Sequence, residues 1–155
     1  MTANRVFKPV ALKAATKKWG ERHMRMRPVL TWEDIEKIVA GARAQAAAHN
    51  EKGTIAIVDQ GGALLYLERP EINSANTVDM ATGKARTAAY RERPSSALEE
   101  RVKDRPGFLM TPNQIGVRGG VPRFWKGECV GGVGVSGIGN NDEPAAIAGA
   151  AALES

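Results

Sequence analysis

Lys84 stands in a run of small residues, Ala81-Thr82-Gly83-Lys84-Ala85. A lysine flanked by alanine and glycine has room to project into a pocket. There it can hold a carboxylate, or act as a base if burial lowers its pKa. Arg69, Arg118 and Arg123 flank the two regions richest in turn residues, and the planar guanidinium fork suits carboxylate or nitro-type oxygens. Asp142-Glu143 opens a terminal helix. The ordinary role of such a pair is capping and compensation of the helix dipole, while an acid–base role beside Ser136-Gly137 is the chemical alternative. Each of these charges also has a bland reading: a surface lysine, or arginines paired with Glu68, Glu128 or helix acids.

Other chemistries have weaker signals. Gly132-Val133-Gly134-Val135-Ser136-Gly137 spells G-x-G-x-x-G. A dinucleotide site also needs a following helix, a further strand and an acid about 20 residues on. Only 18 residues follow Gly137, so the glycines are better read as permitting close backbone packing at a strand. His23 and His49 are the only histidines, and Cys129 is the only cysteine. They form neither a zinc-ligand spacing nor H-E-x-x-H, so no metal site is expected. Haem takes His, Cys, Met or Tyr as axial ligand. Scarce histidine weakens that option, although Tyr66, Tyr90 and five methionines remain. Cys129, beside Val130 in an apolar run, reads as a buried structural thiol.

The elements that must position these residues follow from periodicity. The chain of 155 residues suits one domain. Residues 1–30 hold eight of the 22 Lys/Arg and one of the 17 acids, so a basic arm over 1–29 precedes a slightly acidic body over 30–155. A short helix is expected in the arm after Pro9, ending before Gly20. Phe7 and Trp19 are its only aromatics, which argues against a single-stranded nucleic-acid binder. No apolar run is long enough for a membrane span, no secretory leader is evident, and a lone cysteine fits a reducing compartment. Together these predict a cytoplasmic protein.

Thr31, with Asp34 three residues on, caps a helix over about 31–50. Its apolar positions Ile35, Ile38, Val39, Ala42 and Ala46 recur at helical spacing. Thr54–Val58, a turn at Asp59-Gln60-Gly61-Gly62, and Ala63–Leu67 read as a hairpin. A small-residue helix over about 74–90 follows, then a short helix from Ser95 or Ser96 to about Val102. Residues 105–121 form a long glycine- and proline-rich loop, a type that is often functional. Pro122–Trp125 and Glu128–Val135 make a second hairpin through Lys126-Gly127, and a last helix runs from about Asp142 to Leu153. Two hairpins favour a mostly antiparallel sheet packed with helices.

These segments, in this order, carry a family likeness. Leu30-Thr31 opens a helix, and Ile57-Val58-Asp59-Gln60-Gly61-Gly62 leads through Leu64-Leu65 to Arg69. Lys84-Ala85-Arg86-Thr87-Ala88, Gly119-Gly120-Val121-Pro122, Val130-Gly131-Gly132-Val133-Gly134-Val135-Ser136-Gly137 and Asp142-Glu143 follow. Over roughly 30–153 the chain resembles the GlcG/HbpS family, which includes the C-terminal domain of PduO-type proteins. The resemblance implies a profilin-like α+β fold with a five-stranded antiparallel sheet flanked by helices, assembled as dimers or higher homo-oligomers. It also implies a small ligand. Members similar to HbpS bind haem or a related tetrapyrrole, while others belong to catabolism, among them a hydroxylaminobenzoate lyase type.

Two functional expectations result. The first is a cofactor-free lyase or isomerase acting on a small anionic catabolite, with aromatic ones among the candidates. Lys84 or Glu143 would move protons, and at least one of Arg69, Arg118 and Arg123 would face the ligand, beside Gly119, Gly120 and Ser136. The alternative is a haem or tetrapyrrole binder. In either case the partners expected are a small ligand and further copies of the chain, with neither membrane nor nucleic acid.

Overall fold

The computed structural model describes residues 26–153. The expected arm helix, His23 and most of the arm lie outside these residues. The chain runs through α1 (Trp32–Ala47), β1 (Thr54–Asp59), β2 (Leu64–Glu68), α2 (Asn76–Arg91) and α3 (Ser96–Asp104). A 3-10 turn (Pro106–Met110), β3 (Gly120–Trp125), β4 (Glu128–Ser136), a second 3-10 turn (Gly139–Asn141) and α4 (Asp142–Ala151) complete it. Among the described residues the sheet has four strands, ordered β2-β1-β4-β3, all neighbours antiparallel. The expected fifth strand is absent there. The two hairpins join through β1 and β4 and leave β2 and β3 as the edges. Pro122 is tolerated because β3 is an edge strand.

α1 starts where Thr31 caps it. The Asp34 amide donates to Thr31 Oγ1 at 3.2 Å, and the Thr31 amide donates to Asp34 Oδ2 at 2.8 Å. Thr31→Ala is expected to cost about 1 kcal/mol of stability in chemical denaturation. Ile35, Ile38, Val39, Ala42 and Ala46 form the buried stripe of α1. They pack with Ile55 and Ile57 of β1, Val133 and Val135 of β4, and Ala145, Ala146 and Ala150 of α4. Each buried Ile or Val contributes about 1.5–3 kcal/mol of transfer free energy, so this layer carries most of the hydrophobic stabilisation. α2 covers the other sheet face, where Val58, Ala85 and Ala89 make a second, smaller cluster.

The α2 face is thin because glycine lines it. A Cβ on Gly132 would stand 2.3 Å from the Ala85 carbonyl oxygen, and one on Gly134 2.0 Å from that of Ala81. The G-x-G-x-x-G run is therefore a packing surface on β4, which pairs antiparallel on both sides. Among the described residues no parallel strand–helix–strand unit surrounds it. At the β3–β4 turn, Lys126 (φ 47°) and Gly127 (φ 82°) both adopt the left-handed conformation, which matches the twist of a two-residue hairpin.

Two carboxylates tie α1 to its surroundings. The backbone and hydroxyl of Thr31 hold the Asp34 carboxyl below its ordinary range. Burial opposes ionisation of Glu68, but hydrogen bonds from Arg43 and Tyr66 overcome it and hold that carboxyl down too. Both folded values lie below the unfolded ones. Their contribution is present above the ordinary carboxylate range near pH 4 and is lost as pH falls through the folded values. Stability measured from about pH 6 downward is expected to drop below about pH 4, and more shallowly in Asp34→Asn.

Candidate functional site

Lys84 sits in the middle of α2, which lies flat on a glycine-lined strand, so its side chain has nowhere to go but inward. It is 1 % exposed. Its Nζ donates to Asp142 Oδ2 at 2.7 Å and to the Val135 carbonyl at 3.0 Å. Asp142, also buried, accepts the Ile138 amide on Oδ1 at 3.0 Å. The pair thus joins α2, the end of β4 and the start of α4. Gly119 closes over it, with φ of +111° and no room for a side chain: a Cβ there would come within 3.0 Å of Lys84 Nζ and 2.9 Å of Asp142 Cβ. Gly120 lies against the Lys84 carbonyl and Ser95 Oγ, and Ser136 is buried at the end of β4.

The structure therefore gathers Lys84, Gly119, Gly120, Ser136 and Asp142 at one corner, but as a packed ionic joint. At this exposure Nζ is held between the Asp142 carboxylate and the Val135 carbonyl. At the rim the chemistry is more open. Glu143 is half-buried and accepts Ser96 Oγ at 2.6 Å. Arg118 is exposed and pairs with Glu99, from Nε at 3.2 Å and from its backbone amide at 2.8 Å. The rim thus carries a carboxylate and a guanidinium of the kind an anionic ligand would meet.

The other two arginines lie elsewhere. Arg69 follows β2 and donates to the Asn73 carbonyl. Arg123, central in β3, is 9 % exposed. It donates to the carbonyls of Ala150 at 3.1 Å and Leu153 at 2.9 Å, closing the last turn of α4. The three arginines thus stand in three different places.

Sequence reading missed one opening. A cavity of about 540 Å³ lies where the chain enters α1, between that entry and the β3–β4 hairpin. Val29, Leu30, Trp125, Val130 and Leu153 give it apolar walls, while Lys37, Asp34 and the edge of Arg123 give it charge. Nothing local marks Lys37 and Trp125, about 90 positions apart, as neighbours. The apolar walls fit the body of a tetrapyrrole, and the Lys37 ammonium at the edge is paired with Glu33 at 2.8 Å. No His, Cys, Met or Tyr occurs among the described residues lining it, so the lining supplies no iron ligand. Cys129 turns the other way, its sulfur facing the Ala89 and Gly131 carbonyls, and burial raises its thiol pKa. His49 is exposed at the end of α1, and Met26, two residues before the cavity wall, is 85 % exposed.

Among the described residues no cluster of His, Cys, Asp and Glu could hold a metal ion, and no helix is long and apolar enough to cross a membrane.

A four-stranded antiparallel sheet, with α1 and α4 on one face and α2 on the other, defines an α+β protein of the type predicted from the ordered segments. The chain belongs to the HbpS-like family, described as "Haem degrading protein HbpS-like", whose model matches residues 30–152. Protein GlcG of Escherichia coli (strain K12) is 35 % identical over 114 residues, covering 73 % of this chain and 85 % of that protein. A double mutant of Streptomyces reticuli HbpS superposes with a TM-score of 0.80 at 31 % identity, over 85 % of this chain and 92 % of that one. A PduOC:heme complex shares the fold, with a TM-score of 0.74 at 21 % identity over 82 % of this chain and 96 % of that one.

Proposed function

We propose that this protein binds haem or a related tetrapyrrole in the cavity between the α1 entry and the β3–β4 hairpin. The carrying observation is the cavity itself: apolar on Leu30, Trp125 and Val130, with the Lys37 ammonium, which pairs with Glu33 at 2.8 Å, at its edge, where a propionate would compete for it. The chain's membership of the HbpS-like family and the haem named in the PduOC complex support the reading. In this assignment the walls hold the macrocycle and exclude water, and Lys37 orients it by one carboxylate. Bound haem would supply iron chemistry. The sequence offers Met26 and His23 as iron ligands upstream of the cavity, His23 lying outside the described residues.

A haemin titration of the full chain, followed at the Soret band, tests this. The expected result is a saturable shift at one equivalent per chain or per dimer. Trp125→Ala combined with Lys37→Glu should weaken it about tenfold or more, equivalent to at least about 1.4 kcal/mol. His23→Ala or Met26→Ala should move the band position. A weak change that never saturates would rule the reading out.

The second reading, a cofactor-free lyase or isomerase on a small anionic aromatic catabolite, draws on Glu143. Its carboxylate is half-buried, held by Ser96 and close enough to Arg118 for their charges to interact. Its test is a thermal-shift screen of aromatic carboxylates, in which a true ligand at 100 times its dissociation constant adds roughly 2.7 kcal/mol. Glu143→Gln should keep the shift and abolish turnover.

Homo-oligomerisation belongs to the same proposal. β2 is an edge strand carrying exposed Leu64, Leu65 and Leu67, and an uncovered apolar edge invites pairing with another copy.

A further inference from the structure

The segment between α2 and β3 gathers three guanidinium groups on one aromatic ring. Arg101 lies 4.3 Å from the Phe108 ring centroid, Arg105 5.2 Å and Arg91 5.4 Å. Phe108 is half-buried in the 3-10 turn that follows α3, while Arg101 and Arg105 are exposed. Arg101 lies in the last turn of α3 and Arg105 at its C-cap, and both lie on the same ring, so their like charges repel. One ring quadrupole cannot compensate three cations.

The local acids do not compensate them either. Glu99 is engaged by Arg118, and Glu100 by Lys103. Among the described residues neither Glu92 nor Asp104 forms an ion pair with any of the three. Arg91 Nε donates to Gln114 Oε1, a neutral acceptor. The cluster therefore presents excess positive charge with guanidinium forks to spare. Beside it, Leu109 and Met110 are 63 % and 84 % exposed.

We propose that Arg91, Arg101 and Arg105 form a binding site for a phosphate monoester carried on an apolar body. A phosphate monoester brings close to two negative charges and three acceptor oxygens, matched to several forks. A carboxylate brings one charge and two oxygens. Leu109 and Met110 contact the apolar body. The site is independent of the haem cavity and of the Glu143 rim.

The same headgroup chemistry occurs on soluble metabolites and on lipids, so two probes are used with the full chain. Hexyl phosphate is titrated calorimetrically at about 0.15 M salt, where exposed charges more than about 8 Å apart are largely screened. Phosphatidylcholine vesicles with and without phosphatidic acid are assayed by co-sedimentation. The expected result is saturable binding of hexyl phosphate below about 1 mM, or vesicle capture that depends on phosphatidic acid. Either should weaken at least about tenfold in Arg101→Gln/Arg105→Gln, with circular dichroism unchanged. Hexyl phosphate alone assigns a soluble ligand, and vesicles alone assign a lipid headgroup. Met110→Ser should weaken these probes but not inorganic phosphate. The double Lys variant should bind worse than wild type, since an ammonium keeps the charge and loses the fork. The proposal is overturned if neither probe binds, if the Gln or Lys double variant binds as well as wild type, or if duplex DNA binds more tightly than both probes.

Discussion

Lys84→Met is expected to destabilise the protein by about 3–5 kcal/mol in denaturant unfolding, because it leaves the Asp142 carboxylate buried without its cation. Lys84 and Asp142 have side-chain exposures of 2 % and 10 %, and their contact is 2.7 Å. Desolvating both ions already costs several kcal/mol, which only their mutual attraction and their further hydrogen bonds offset. Removing one partner therefore costs more than the pair contributes. Removing both charges tells the two quantities apart. Asn at 142 still offers an oxygen to the Ile138 amide, so Lys84→Met/Asp142→Asn should recover much of the loss. A double variant no better than Lys84→Met would show that the interaction is not mainly ionic.

The same variants separate a structural lysine from a chemical one. If Lys84 only joins α2 to α4, the double variant keeps ligand binding and any turnover once folded. If Lys84 moves a proton, the double variant folds and is inert. The burial of Nζ, and its engagement by both Asp142 and the Val135 carbonyl, favour the first outcome.

Gly134→Ala is expected to cost about 3 kcal/mol or more, or to prevent folding, because the new methyl would stand 2.0 Å from the Ala81 carbonyl oxygen. The obstacle is helix backbone, which cannot rotate aside as a side chain would. α2 would have to lift off the sheet, opening the contact between its alanines and Val58. Gly132→Ala should behave alike, facing the Ala85 carbonyl at 2.3 Å. Gly107→Ala is the control. A Cβ there meets nothing within 4 Å, and an effect within about 0.5 kcal/mol is expected, as at most surface sites. Equal melting of Gly134→Ala and Gly107→Ala would mean that the close approach of α2 to β4 is unimportant.

Much of this architecture was legible along the chain. The Thr31–Asp34 box, the Ile35/Ile38/Val39 stripe and the Lys126-Gly127 turn are local patterns whose physics is complete within a few residues. The element order α, β, β, α, α, β, β, α follows from them, the two hairpins favoured an antiparallel sheet packed with helices, and the likeness of the ordered segments to the GlcG/HbpS family added a profilin-like form. The expected fifth strand came from that likeness, not from any alternating run, and the described residues hold four.

The site was less legible. The sequence alone determined that Lys84 falls among small residues, that glycines alternate along β4, and that Asp142-Glu143 opens α4. It could not say that these three features meet, because Lys84 and Asp142 are 58 positions apart. A lysine among alanines looks the same whether it faces water, a ligand or a carboxylate. Only the tertiary structure decided this, by laying α2 so close over glycine that the lysine had to turn inward and find Asp142. In the same way, only the fold brought Lys37 to Trp125 across a cavity and turned Arg123 to the carbonyls ending α4. Local spacing sets which elements form, but the partner of a buried charge is set by which elements pack together.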